Sequence, residues 1–211
     1  ASFMKRFSNH REPWGSFVDV KINAPDRLRA QLKRSKSSRV ILSSVTDPYQ
    51  PLEQQYGLTR SCLEILAAHG SCLELTVLTK SDLVMRDVDV LRQIPGVSVG
   101  LTITSPSDEV GRVFEPGASL PSRRLTALRR LSSQGIDTWA FVGPVLPGFT
   151  DNEKALRSLL SELREAGVEE VVFDTINLYP QVKAGLARLR NQYPQMWAMV
   201  KARERSPLGY A

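Results

Sequence analysis

Five times along the chain a short apolar run stops abruptly at a cluster of hydroxyl, carboxylate, amide or ammonium groups. Val40-Ile41-Leu42 gives way to Ser43-Ser44-Val45-Thr46-Asp47-Pro48-Tyr49-Gln50-Pro51-Leu52-Glu53. The pattern returns at Leu78-Thr79-Lys80, Leu101-Thr102-Ile103-Thr104-Ser105, Phe141-Val142-Gly143-Pro144 and Phe173-Asp174-Thr175-Ile176-Asn177. Continuous apolar runs of this length are what parallel strands covered on both faces look like. Polar groups at their C-terminal ends are where barrels of this kind place chemistry. The pattern therefore predicts an α/β chain whose strand-end loops ring one site.

Between the runs the apolar period changes from two to about 3.6 residues per repeat, the helical value. Strands are expected over residues 17–23, 39–44, 73–80, 97–104, 138–142 and 170–176. Helices are expected over 26–35, 53–68, 82–94 and 122–134, with a longer loop around Phe114-Glu115-Pro116-Gly117. Thr150-Asp151-Asn152-Glu153 has the spacing of a capping box opening a helix that carries Leu156, Leu159, Leu160 and Leu163. A helical tail over 181–205 is interrupted near Pro194. Strands alternating with helices mean right-handed βαβ units and a parallel sheet, either open or closed into a barrel. The absence of Gly-x-Gly-x-x-Gly argues against a dinucleotide-binding sheet, and the polar strand tips favour the barrel. We expect one domain over residues 1–211, with 1–16 an irregular lead-in and 181–211 the helical tail.

Charge and cysteine usage narrow the classes. No stretch approaches the roughly 20 apolar residues of a membrane helix, and no signal-peptide pattern opens the chain. A cytoplasmic location without a membrane partner is expected. The formal charge of +6 gathers at Arg27, Arg29, Lys33, Arg34, Lys36 and Arg39, at Arg123, Arg124, Arg129 and Arg130, and at Lys201, Arg203 and Arg205. Such clusters either attract a polyanion such as nucleic acid or are solvated helix faces, and few aromatics interleave with them as a stacking platform needs. Cys62 falls on one helical stripe with Leu58, Ile65 and Leu66 and reads as core. Cys72 precedes a strand without a metal-spaced partner, and with two histidines, His10 and His69, a zinc hydrolase is not indicated.

In order along the chain, Phe3-Met4-Lys5, His10-Arg11-Glu12-Pro13-Trp14-Gly15, Val18-Asp19-Val20-Lys21, Thr46-Asp47-Pro48-Tyr49-Gln50-Pro51-Leu52-Glu53, Leu78-Thr79-Lys80-Ser81 and Phe114-Glu115-Pro116 form a set. As far as Tyr179 that set resembles the radical S-adenosylmethionine (SAM) superfamily, in particular its spore photoproduct lyase-like branch. The resemblance implies a partial TIM barrel of parallel (β/α) units. It also implies a [4Fe–4S] cluster, fed by an external electron donor, that cleaves SAM to methionine and a 5′-deoxyadenosyl radical. In the family three cysteines spaced C-x3-C-x2-C hold that cluster and leave one iron open for SAM. This chain has no such spacing. The resemblance then implies a barrel truncated at its N-terminus, just after the cluster loop and without the first strand. The cluster is expected only where that upstream segment is present, and the chain alone is expected to be inactive. The lyase also carries a hydrogen-donating cysteine where this chain reads Ser43-Ser44-Val45-Thr46-Asp47, so return of a hydrogen atom to thymine lacks its donor here.

The resemblance also assigns the rim. Thr46 and Asp47 stand where relatives receive the amino end of SAM, although an Asp before Pro48 is equally a turn-former that accepts local amides. Lys80 should face the SAM carboxylate; the alternative is a solvated lysine, in a place the helix dipole disfavours. Thr104 and Ser105 are candidates for the ribose, whereas Thr102 reads as an ordinary strand residue. Gly143, Val145 and Gly148, in Gly143-Pro144-Val145-Leu146-Pro147-Gly148, resemble a strand-end motif that lies against adenine, and Asn177 would read the adenine edge. No catalytic residue and no metal ligand is assigned. Two rival readings remain: a cluster-free barrel that binds nucleic acid through its basic faces, and a barrel enzyme taking a phosphorylated substrate at the 143–148 loop.

Overall fold

The computed structural model describes residues 10–12, 16–34, 39–42, 45–69 and 74–204. Phe3, Phe7, Trp14, Ser43, Ser44, Cys72 and the last seven residues lie outside these ranges. Five strands among the described residues form one sheet in chain order, each parallel to its neighbours. They are β1 (Arg39–Leu42), β2 (Glu74–Thr79), β3 (Val97–Thr102), β4 (Asp137–Val145) and β5 (Glu170–Thr175). When consecutive parallel strands are neighbours and every crossover is right-handed, all connecting helices fall on one face. The result is an α/β fold with the wall of a partial barrel.

The helices are α1 (Ala24–Leu32), α2 (Glu53–Tyr56), α3 (Leu58–His69), α4 (Val88–Leu91), α5 (Asp108–Phe114), α6 (Pro121–Ser133), α7 (Glu153–Glu165), α8 (Pro180–Arg188) and α9 (Pro194–Glu204). Alternation along each strand decides which side chains meet them. Leu75 and Val77 of β2, Val97, Val99 and Leu101 of β3, and Ala140 and Val142 of β4 are buried in one cluster. Leu63 and Leu66 of α3, Leu125, Leu128 and Leu131 of α6, and Leu159 and Leu163 of α7 complete it. Each of these valines and leucines taken out of water stabilises the fold by about 1.5–3 kcal/mol. The intervening residues face the other way, into the barrel: Ile41, Thr76, Leu78, Gly100, Trp139, Phe141 and Val172. This concave face is open, with Ile41 69% and Val172 38% exposed.

A second cluster joins Ile176 to Leu186, Met196 and Val200, with Phe114, Phe149, Tyr193 and Trp197 around it. The Phe149 ring is 5.0 Å from that of Phe114 and 5.1 Å from that of Tyr193. Phe114 follows β3 and Phe149 follows β4, so α8 and α9 pack at the C-terminal ends of the strands.

Several expectations need correction. Residues 17–23 form no strand; Ile22 and Ala24 close turns onto Val20 and Lys21 instead. Val18 and Ile22 are 54% and 72% exposed, so the period of two has no ladder partner to bury it among the described residues. The helix expected over 82–94 is a 3₁₀ turn at Asp82–Asp87 followed by the short α4. The loop near Phe114 contains α5, capped by Ser107, whose hydroxyl accepts the Val110 amide at 3.4 Å. Thr150 does not cap α7. Its hydroxyl accepts the Leu146 amide at 2.9 Å, while Asn152 caps the helix through the Ala155 amide at 3.0 Å. Glu153 is exposed and pairs with Arg157.

Candidate functional site

Asp47 stands just past the C-terminal end of β1, and its carboxylate ties three segments together. Oδ1 accepts the Tyr49 amide at 2.9 Å and the Thr79 hydroxyl at 2.6 Å; Oδ2 accepts the Lys80 amide at 2.6 Å. The bond to Tyr49 is the local turn that an Asp before Pro48 favours. The bonds to Thr79 and Lys80 bring the end of β2 against the end of β1. A carboxylate offers about four lone-pair sites, so one acceptor site remains on Oδ2. Thr46 beside it is exposed.

The Lys80 side chain reaches Glu115, just past α5, with Nζ 2.5 Å from Oε1. The other Glu115 oxygen takes Nη2 of Arg124 in α6, and Nη1 of Arg124 donates to the Thr102 carbonyl at 2.5 Å. The Arg124 side chain is fully buried and that of Glu115 is 5% exposed, whereas that of Lys80 is 37% exposed. Burial alone would raise the Glu115 pKa, but Lys80 and Arg124 outweigh it and hold the carboxyl below its usual range. Arg124 is therefore not part of a solvated basic face. Its neighbours Arg123, Arg129 and Arg130 are exposed. The sequence carried a signal for this, since Arg124 lies in register with the stripe Leu125, Leu128 and Leu131. A charge inside an apolar stripe is a charge that needs a buried partner.

The ends of β3, β4 and β5 complete the rim. Thr102, Thr104 and Ser105 are all buried. Ser105 accepts the Ser107 amide at 3.2 Å, whereas the Thr104 hydroxyl is buried without a hydrogen-bond partner. Gly143 precedes a cis proline, and a Cβ on it would come 2.5 Å from Cζ of Phe141, so only glycine leaves room for that ring. Gly148 has φ +78° and donates its amide to Asp151 at 2.8 Å, next to Met196 and Met199 of α9. Val145 is half-buried and Asn177 exposed. Asp47 and Lys80 thus adjoin directly, while Gly143, Val145, Gly148 and Asn177 occupy the opposite arc at the ends of β4 and β5.

Behind the rim, Glu53, which the sequence joined to the Asp47 motif, is a structural anchor. It is buried, accepts the Thr59 amide at 2.9 Å and pairs with Arg86 at 2.7 Å. Arg86 also grips Asp87, fully buried, which Arg60 reaches from α3 at 3.1 Å. These contacts fasten the loop carrying Asp47 to the turn after Lys80. Tyr49 is buried in the same region, and burial raises the pKa of its phenol, with Asp87 adding to the shift.

His10 stacks on Phe17 at 3.8 Å and bonds Asp19 at 2.7 Å, which raises its pKa and makes it a loop anchor. His69 is exposed at the end of α3. Cys62 is buried, and burial pushes its thiol pKa up. Among the described residues no group of three or more His, Cys, Asp or Glu side chains is placed to hold a metal ion. The two cysteines of the whole sequence cannot supply the three thiolates of an open-iron cluster. What the rim does offer is an acceptor at Asp47, tied to the backbone of Lys80, and a partly exposed ammonium on that same lysine. No helix of the described residues is long and apolar enough to cross a membrane.

Comparison with known proteins shows what the chain is similar to. The model of the Radical SAM superfamily matches residues 8–160. An uncharacterized protein of Methanocaldococcus jannaschii is 37% identical over 153 residues, covering 72% of this chain and 56% of its own length. An uncharacterized protein of Mycobacterium tuberculosis is 35% identical over 167 residues, covering 76% and 48%. A radical SAM Nα-GlyT isomerase of Pseudomonas phage M6 is 25% identical over 178 residues, covering 83% and 36%. Among solved structures, a spore photoproduct lyase variant with bound AdoMet and dinucleoside spore photoproduct superposes with a TM-score of 0.60 at 19% identity, over 84% of this chain and 52% of its own. The chain spans about half the length of the curated relatives it matches.

Proposed function

Because the chain belongs to the radical SAM superfamily, we propose that its rim is the SAM-holding half of an enzyme that cleaves SAM reductively. The observation that carries this reading is the contact between Asp47 and Lys80. The Lys80 backbone amide sits on one carboxylate oxygen of Asp47, so the acceptor and the residue that carries the ammonium are fixed to each other, with that ammonium held at Glu115. The methionine end of SAM is a zwitterion, and it needs that pair: its ammonium meets the free site on Asp47, with Thr46 beside it, and its carboxylate meets Lys80. The unpartnered hydroxyl of Thr104, with Ser105, takes the ribose. The backbone at Gly143, Val145 and Gly148 lies against the adenine, and Asn177 reads its edge.

When bound, a reduced [4Fe–4S] cluster supplies the electron that turns SAM into a source of the 5′-deoxyadenosyl radical. The cysteines present here do not make up its ligand set, so the chain's own part is to bind and orient SAM. The test is anaerobic reconstitution of this chain beside a longer form in which a segment with three cysteines spaced C-x3-C-x2-C is joined ahead of Ala1. The longer form should bind iron and sulfide and release 5′-deoxyadenosine, and the 211-residue chain should bind SAM without releasing product. A chain that shows no affinity for SAM would sink the reading.

A second reading rests on the face at α1, where Arg27 and Arg29 of the helix and Lys33 and Arg34 just past it are exposed, as is Arg39 of β1. Arg29 and Arg39 already pair with Asp26 and Glu74. A nucleic-acid module at this face predicts affinity for single-stranded DNA that falls steeply with salt. Affinity undetectable at low salt excludes it.

A further inference from the structure

Lys80 is held at three points by two different loops. Its amide donates to Asp47 at 2.6 Å, its carbonyl accepts the Ser119 amide at 3.2 Å, and its ammonium is 2.5 Å from Glu115. Ser119 is itself fixed, its hydroxyl donating to Asp82 at 2.5 Å. A surface lysine ordinarily keeps most of its rotamer freedom. Here the backbone on both sides and the head group are pinned. The charges do not balance either: two cations, Arg124 and Lys80, share the one carboxylate of Glu115. The surplus positive charge of the triad cannot be solvated at Arg124, which is fully buried, and it is expressed at Lys80, the most exposed of the three.

We propose that Glu115 and Arg124 are positioning residues: Glu115 aims the Lys80 ammonium, and buried Arg124 cancels the Glu115 charge so that Lys80 keeps a full positive charge for a ligand carboxylate. This rests on the reading above, in which that carboxylate is the one on SAM. It assigns a role to the Phe114-Glu115-Pro116 segment and to an arginine that touches no ligand. Replacing Arg124 by a neutral side chain leaves Lys80 in place but neutralised by Glu115. Removing Lys80 leaves nothing for Arg124 to act through.

The test compares binding of SAM and of decarboxylated SAM, measured by calorimetry on the 211-residue chain and on the variants Arg124→Met, Lys80→Gln and the double variant. The unsubstituted chain should prefer SAM by about tenfold or more, the value of one charge-assisted hydrogen bond. Arg124→Met and Lys80→Gln should each erase that preference, and the double variant should be no worse than Lys80→Gln alone. A merely structural role for Arg124 would weaken both ligands alike and add to the Lys80 effect, which overturns the proposal. Arg124→Lys, which keeps the charge, should retain the preference.

A measurement without substitution covers the case in which Arg124→Met does not fold. In the unsubstituted chain the Lys80 ammonium resonance, identified by its loss in Lys80→Gln, should be protected from exchange. It should shift on addition of SAM and stay unmoved by the decarboxylated form. An unprotected resonance, or an equal response to both ligands, overturns the proposal while leaving SAM binding itself established. Failure of both ligands to bind removes the reading of the site and this inference with it.

Discussion

The indole of Trp139 lies across the backbone of Gly100, its register partner on the neighbouring strand, and a Cβ at Gly100 would come 2.5 Å from Cζ2 of the ring. The barrel interior is therefore shaped by an absent side chain on β3. Overpacking of this kind costs about 1–3 kcal/mol. Gly100→Ala should lower the free energy of urea unfolding by that amount, and adding Trp139→Leu should recover part of the loss. A neutral Gly100→Ala would mean that the ring is free to move away.

Arg86 is the partner of two buried carboxylates, Glu53 and Asp87. Removing one member of a buried pair leaves an uncompensated charge at a cost of about 3–5 kcal/mol. Arg86→Met should be destabilised by that amount in denaturant titrations. Arg60→Met should lose less, because Asp89, one of its partners, is 59% exposed. Equal losses would show that the two arginines are not ranked by the burial of what they hold.

Acid should act on Glu115. Its carboxyl is depressed in the folded chain from an ordinary value of 4.5. A depressed carboxyl contributes stability that is fully present above the unfolded-state pKa and is lost as pH falls through the folded-state value. Stability measured from pH 6 downward should therefore begin to fall near 4.5 and keep falling below it. In Glu115→Gln that part of the acid limb should be missing. An unchanged pH profile in the variant would exclude Glu115 as its source.

Asp47→Asn keeps one carbonyl oxygen but replaces the other with a donor, which cannot accept the Lys80 or Thr79 hydrogen. Hydrogen bonds to a charged acceptor contribute about 1.5–3 kcal/mol. SAM affinity should fall at least about tenfold, with a smaller loss of thermal stability. Affinity that is unchanged while stability drops would mark Asp47 as a turn residue alone.

The sheet was legible because its strands are both apolar and punctuated. The runs at 74–79, 97–102 and 170–175 lie where the sequence places them, and β4 extends the expected 138–142 by one residue at its start and three at its end. Residues 17–23 misled because alternation records only that a strand would have two unlike faces. It does not record whether a neighbour exists to pair with it. The capping box at Thr150 failed for a related reason, since its hydroxyl serves the preceding turn at Leu146. At the rim, Asp47 and Lys80 were legible as strand-end groups, but not the bond between them, because they are 33 residues apart. Arg124 was the chief omission. Counting it with its exposed neighbours averaged away the one position whose helical phase points inward.

The bonds at the mouth form an unbroken series: the loop after β1 holds β2 through Asp47, β2 holds α5 through Lys80, and Arg124 of α6 links Glu115 to β3. Loops on barrels are commonly treated as interchangeable parts grafted one at a time. In this chain a transplant that carries Glu115 without Arg124, or Arg124 without Glu115, strands a charge inside the protein. New specificity would have to be engineered by moving all of these segments together.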